Sequence, residues 1–261
     1  MGIARKSPRR DSVIETVPFA IRINSIRTSE EQLPVFAWLT QEEWQAVRLS
    51  LAVAAASVAL ATPAAILAAW LLTRPRLAGR WLLDSVVHLP LVVPPVVVGW
   101  LLLLAFGVRG PLGAVLLHWF GVRLVFTTAG AALATAVMVF PLIVRAVSLS
   151  FLAVDPALHD AARTLGAGPL ACFFTITLPL AAPGILSGAV SAFAASLGQF
   201  GAVITFAANI PGETQTLPLA IYAAIQVPGD ELTAARLAVV SVGLAVMVLI
   251  PGEALCRWLR R

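Results

Sequence analysis

Residues able to do chemistry are sparse in this sequence of 261 residues, and their spacing removes most reactions from consideration. His88, His118 and His159 lie far apart and belong to different segments, so they do not make a metal-ligand set. The patterns H-E-x-x-H, G-x-S-x-G and G-x-x-x-x-G-K-S/T are missing, so the chain carries no signature for hydrolysing ATP or any other substrate by itself. Two polar stretches remain. One runs from His159 to Pro183 and combines a charged pair, a glycine break and three prolines between long apolar runs. The other is a series of hydroxyls and amides: Ser187, Ser191, Ser196, Gln199, Thr205 and Asn209. Ser187, Ser191 and Gln199 fall at i, i+4 and i+12, near one face of a continuous helix. An uncharged face of this kind would let an oxyanion pass without trapping it. The competing reading is that membrane helices use small hydroxyl residues for packing, although a lipid-facing amide at Gln199 would be costly.

The elements that must position these stretches are set by composition. Hydrophobic residues make up 59% of the chain and charged residues 12%, with a mean hydropathy of +0.92, more apolar surface than one soluble core of this length could hide. The expected fold is therefore all-α, a polytopic integral membrane bundle. Five apolar runs approach the roughly 20 residues that cross the hydrocarbon: Ala46 to Leu72, Leu82 to Phe106, Thr127 to Ala146, Ile185 to Ala208 and Leu232 to Ile250. Leu217 to Ile225 is too short to span and sits between Pro211-Gly212 and Pro228-Gly229, which suits a re-entrant or interfacial helix. His88, Pro90, Pro94, Pro95 and Gly99 forbid an unbroken helix in the second run, and its freed carbonyls need protein or water as partners. Residues 1–45 have no sustained period and read as a disordered extension. The spanning domain covers 46–251, and 252–261 form a basic tail.

Orientation follows the arginines. Arg74, Arg76, Arg80, Arg145, Arg163, Arg257, Arg260 and Arg261 fall on one side, against Arg109 and Arg123 on the other, so the first side, with the C-terminus, is expected to be cytoplasmic. The basic cluster at Arg5 to Arg10 conflicts with this unless the extension is absent from the mature protein or too distant from the first span to govern it. Net charge +5 would suggest nucleic acid in a soluble protein, but here the arginines flank apolar runs, and no nucleic-acid partner is expected. Cys172 and Cys256 then lie in cytoplasmic segments as reduced thiols.

Asp155 before Pro156 is an N-cap followed by a first-turn proline, so a helix is expected to start there, with Gly166 and Gly168 breaking it before a second short helix. Within this loop Asp160-Ala161-Ala162, then Gly166, then Ile176-Thr177-Leu178-Pro179 resembles the EAA loop of bacterial ABC-importer permeases, with Asp160 where that pattern has Glu. Ser196 to Tyr222, SLGQFGAVITFAANIPGETQTLPLAIY, is similar to the corresponding segment of molybdate permeases, as are Leu83-Asp84-Ser85, His88-Leu89-Pro90-Leu91 and Pro94 to Gly99. Gln199 stands where that group has glutamate, and Gly212-Glu213-Thr214 is what separates the segment from sulfate permeases.

The resemblance implies a homodimeric permease in the bacterial inner membrane. Each copy would sit above a separate ATPase subunit that binds ATP and Mg, with no cofactor in this chain. A periplasmic molybdate-binding protein would deliver cargo, and transport would proceed by alternating access. Leu158 to Phe174 would form the coupling helices. In them Ala161, Ala162 and Gly166 would allow close approach, Asp160 would make a polar contact, and Pro179 would stop the loop before the fourth span. Tungstate, sulfate or thiosulfate are alternative cargoes. A secondary oxyanion carrier would need ionisable relays inside the membrane, and only Asp84, His88 and Arg236 lie near span ends.

Overall fold

The computed structural model describes residues 39–74 and 78–259, so the extension up to residue 38, Arg76, Arg260 and Arg261 lie outside the described residues. Helix α1 (Gln41–Leu72) opens on a capping box. Thr40 Oγ1 accepts from Glu43 N at 3.2 Å, and Glu43 Oε2 accepts from Thr40 N at 2.6 Å. The T-x-x-E signal starts α1 at Gln41, so residues 41–45, expected as part of the extension, are helical. At 32 residues α1 is about 48 Å long, enough to cross the hydrocarbon and extend beyond it.

The proline-rich second run is two helices, α2 (Arg80–Val92) and α3 (Pro95–Phe106), bent by 115° at Pro94. Neither half spans alone, and the bend is far sharper than a kink in a single rod. A short apolar helix, α4 (Pro111–Phe120), occupies the connector between the second and third apolar runs. Helix α5 (Thr128–Leu152) starts where Thr127 Oγ1 accepts from Gly130 N at 3.1 Å, and it runs past the expected end at Ala146.

After the loop helices α6 (Pro156–Thr164) and α7 (Pro169–Cys172), a π turn at Phe173–Thr177 joins α7 to α8 (Leu178–Leu197) in one apolar rod from Pro169 to Leu197. The fourth span is therefore displaced from Ile185 to Ala208. It starts earlier and ends at Leu197, because Gly198-Gln199-Phe200 breaks the chain before α9 (Gly201–Ala207). Helix α10 (Leu217–Ile225) has the bounds expected of the short helix, and α11 (Glu231–Leu259) carries through Pro251 into the segment expected as a tail. Among the described residues four helices are long and apolar enough to cross a membrane, and up to five if the bent α2–α3 pair is one span.

Small residues set the packing. Helix α1 lies along α5, and its Ala61, Ala65 and Ala69 share one buried cluster with Ala136, Val139 and Ile143 of α5. Ser57 Oγ sits 2.6 Å from Val53 O in its own helix and 2.9 Å from Ala132 O of α5, so one buried hydroxyl joins the two backbones. Helix α5 also packs on α8, where a Cβ at Gly184 would collide with Ser150. Helix α3 packs on α9, where a Cβ at Gly99 would come within 2.7 Å of Ala202 O. The broken second run is thus buried at Val98 and Gly99 of α3 and at Val87 of α2, and most of its other side chains are exposed or half-buried.

Candidate functional site

The loop between α5 and α8 is built from its caps. Asp155 Oδ1 accepts from Ala157 N at 2.9 Å and starts α6, with Pro156 in the first turn. The helix ends in a Schellman motif: Ala167 N donates to Ala162 O at 3.0 Å and Gly166 N to Arg163 O at 2.9 Å. That motif requires a left-handed residue, and Gly166 has φ +86°. Nothing in this chain lies within 4 Å of a Cβ at Gly166, so within the chain the requirement is conformational rather than steric. No residue of α6 is buried; Leu165 is 89% exposed and Leu158 44%. A helix that presents apolar side chains to no neighbour has a face left to cover.

The loop is nevertheless held in place. His159 Nε2 and Thr177 Oγ1 share a hydrogen bond of 2.9 Å that ties α6 to the π turn. Phe173 stacks against Trp70 of α1 at 5.5 Å and Phe151 of α5 at 5.9 Å, joining the second arm to the ends of two spans. Asp160 and Arg163 form an exposed pair at 3.8 Å. Ala161 is exposed and Ala162 half-buried.

Ile176 and Thr177 lie in the π turn, and Leu178 N donates back to Phe173 O. Pro179 does not stop the loop before the span. It lies inside the continuous rod, where its ring would meet the carbonyl of Thr175 in a regular α-helix. The widened turn just upstream relieves that clash. The anchors His159, Thr177 and Phe173 were not found from sequence, since nothing in a single sequence pairs a histidine with a threonine so far along the chain.

The hydroxyl and amide series does not form one face. The break after Leu197 takes Gln199, half-buried, off the helix that carries Ser187 and Ser191. Ser196 is buried and donates to Ala192 O at 2.7 Å; Thr205 donates to Gly201 O at 2.9 Å and packs against Gly99. These two serve packing. Ser187 lines a cavity of about 770 Å³ between α5 and α8, together with Ser150, Pro183 and Gly184. Ser191 is exposed. Asn209 Nδ2 reaches Leu219 O at 3.4 Å, and its Oδ1 is buried without a partner.

The segment around Gly212-Glu213-Thr214 is a tight turn locked by Thr214, which is fully buried. Its Oγ1 accepts from Ile210 N at 2.9 Å and donates to Ala208 O at 3.2 Å. Gly212 has φ +78°, and Glu213 O accepts from Thr128 Oγ1 at 2.7 Å, which ties the turn to the start of α5. Leu217 N donates to the buried Ser50 Oγ at 2.6 Å, pinning α10 to α1. Beside it Glu43, 5% exposed, takes Arg236 Nη2 at 2.9 Å and joins the start of α1 to the start of α11.

Bundles of this design are found in solved ABC importers. The chain superposes on a subunit of a bacterial alginate ABC transporter with a TM-score of 0.67 at 18% identity, covering 84% of this chain and 79% of that one. It superposes on a subunit of the MetNI methionine ABC transporter with 0.63 at 17%, covering 84% and 94%. At these identities the likeness concerns the fold alone. Residues 61–253 match the family described as binding-protein-dependent transport system inner membrane component, and the chain belongs to that family. Among its relatives, the molybdenum transport system permease protein ModB of Escherichia coli (strain K12) is 57% identical over 84% of this chain and 96% of its own length. The protein of the same name from Haemophilus influenzae is 50% identical over the same shares. The sulfate transport system permease protein CysW of Synechocystis is 36% identical over 67% of this chain and 63% of its own.

Proposed function

We propose that this chain is the membrane-spanning subunit of a molybdate importer, carrying the oxyanion from the periplasm to the cytoplasm with ATP hydrolysed by a separate subunit. The observation that carries the cargo assignment is the 57% identity to a molybdenum permease across nearly its whole length, against 36% to a sulfate permease over a shorter span. Two copies line one pathway, a periplasmic binding protein delivers the anion, and an ATPase that holds ATP and Mg sits beneath each copy. The side bearing α6 and the C-terminus faces the cytoplasm, as the arginine distribution requires.

Coupling falls to α6 and its Schellman turn. The exposed apolar face of Leu158 and Leu165 is what an ATPase groove would cover, and Asp160, Ala161, Ala162 and Gly166 lie on the same short element. His159–Thr177 and Phe173 transmit its displacement to α8 and α1. The test is uptake of labelled molybdate by cells lacking the protein, with and without the gene restored, under competition. Restored uptake that excess tungstate blocks and excess sulfate does not is the expected result. Rescue of sulfate uptake instead would overturn the cargo assignment and leave the architecture standing.

A further inference from the structure

Two cavities meet at the loop end of α1. One, of about 350 Å³, is lined by Trp70, Arg74, His159, Arg163, Phe173 and Thr177, among others. The other, of about 340 Å³, is bounded by apolar and aromatic side chains, including Ile66, Leu67, Trp70, Leu170, Phe173 and Phe174. Trp70 and Phe173 belong to both, so the basic chamber and the apolar groove lie side by side and share a wall.

The basic end is organised. The Arg74 guanidinium stacks over the Trp70 ring at 3.6 Å, which places its charge at the chamber wall while the residue stays exposed. Arg163 is tied to Asp160 only by an exposed contact of 3.8 Å, the kind that competes weakly with another anion. The His159 ring is fixed by Thr177. The groove, by contrast, has walls that are more than half exposed: Leu67 is 57% exposed, Leu170 63% and Phe174 61%. Basic side chains just beyond the end of a spanning helix, with an interfacial tryptophan between them and an apolar channel, reproduce the order of a lipid monolayer from phosphate to acyl chain.

We propose that these two cavities together seat one anionic phospholipid, its phosphate between Arg74 and Arg163 and the upper part of one acyl chain along Leu67, Leu170 and Phe174. The lipid would brace α7 against α1 and make the position of the loop depend on anionic lipid. The site is separate from the oxyanion cargo and does not depend on which cargo the permease carries.

The test is native mass spectrometry of the full-length chain in detergent with added dioleoyl-phosphatidylglycerol, using dioleoyl-phosphatidylcholine as the neutral comparator. Retention of one phosphatidylglycerol in preference to phosphatidylcholine is expected. Combining Arg74→Gln with Arg163→Gln should lower that retention roughly 25-fold, about fivefold for each arginine. Arg74→Lys, which keeps the charge, should retain most of it. Leu67→Trp, which narrows the groove from its exposed rim, should also release the lipid. Equal retention of the two lipids, or unchanged retention in the double variant, would overturn the proposal. So would inorganic phosphate displacing the lipid and binding Leu67→Trp as it binds the wild type, which would make this a free-anion site. A wild-type dimer that excludes lipid and is broken by Leu67→Trp would assign the groove to a second copy instead.

Discussion

Gly166 and Gly168 are two residues apart, and the structure asks different things of them. Gly166 must hold φ +86°, whereas Gly168 sits at φ −73° as the N-cap of α7, and neither has a neighbour that a Cβ would strike. Gly166→Ala should therefore destabilise the turn by about 1 kcal/mol, and Gly168→Ala should change it by only a few tenths. Thermal unfolding of the two variants side by side checks this, and equal losses would contradict the Schellman assignment. Glu43 carries a different constraint, since its carboxylate is buried and satisfied by Thr40 N and Arg236. Glu43→Ala should cost roughly 2 kcal/mol, less than a fully buried pair because Arg236 is 46% exposed. Ala208 has φ +62°, so Ala208→Gly should stabilise by about 1 kcal/mol if the Thr214 turn imposes that conformation.

At the scale of elements, the loop is held to the spans by few contacts. Removing the Thr177 hydroxyl with Thr177→Val deletes the only hydrogen bond from the His159 side chain among the described residues. Amide exchange over 156–167 should then rise about tenfold, the equivalent of a lost hydrogen bond of about 1.4 kcal/mol, with exchange in α1 unaltered. The α5–α8 contact depends on Gly184, and Gly184→Ala should cost roughly 2–3 kcal/mol because Ser150, itself bonded to Ala146 O, stands where the methyl would go. Proline placement decided which elements could be read from sequence. Asp155-Pro156 announced α6 correctly, because cap and first-turn proline act locally. Pro179 misled, because whether a proline ends a helix depends on a π turn that no local pattern announces. Gly198-Gln199-Phe200 likewise looks continuous with its apolar neighbours, so one long span was expected where α8 and α9 are separate.

For the whole molecule, hydropathy and arginine placement carried most of what could be read, since every spanning helix must satisfy its own backbone. They gave the apolar runs but not the 115° fold between α2 and α3, nor α4, because proline forbids a straight helix without saying how sharply the chain turns. The polar series was legible residue by residue and misleading as a face, since Ser196 and Thr205 bond their own helices while Ser187 opens onto a cavity elsewhere. The loop, by contrast, was legible in sequence, and its anchors emerged only in three dimensions. The central claim is that this loop converts ATP hydrolysis in a partner into movement of molybdate. Its most direct test is to measure ATP hydrolysis and labelled molybdate uptake together in proteoliposomes holding the assembled importer, for wild type and Gly166→Trp. The account predicts that in the variant uptake collapses while hydrolysis continues. Uptake per ATP equal to wild type, in a variant that is inserted and assembled, would contradict it.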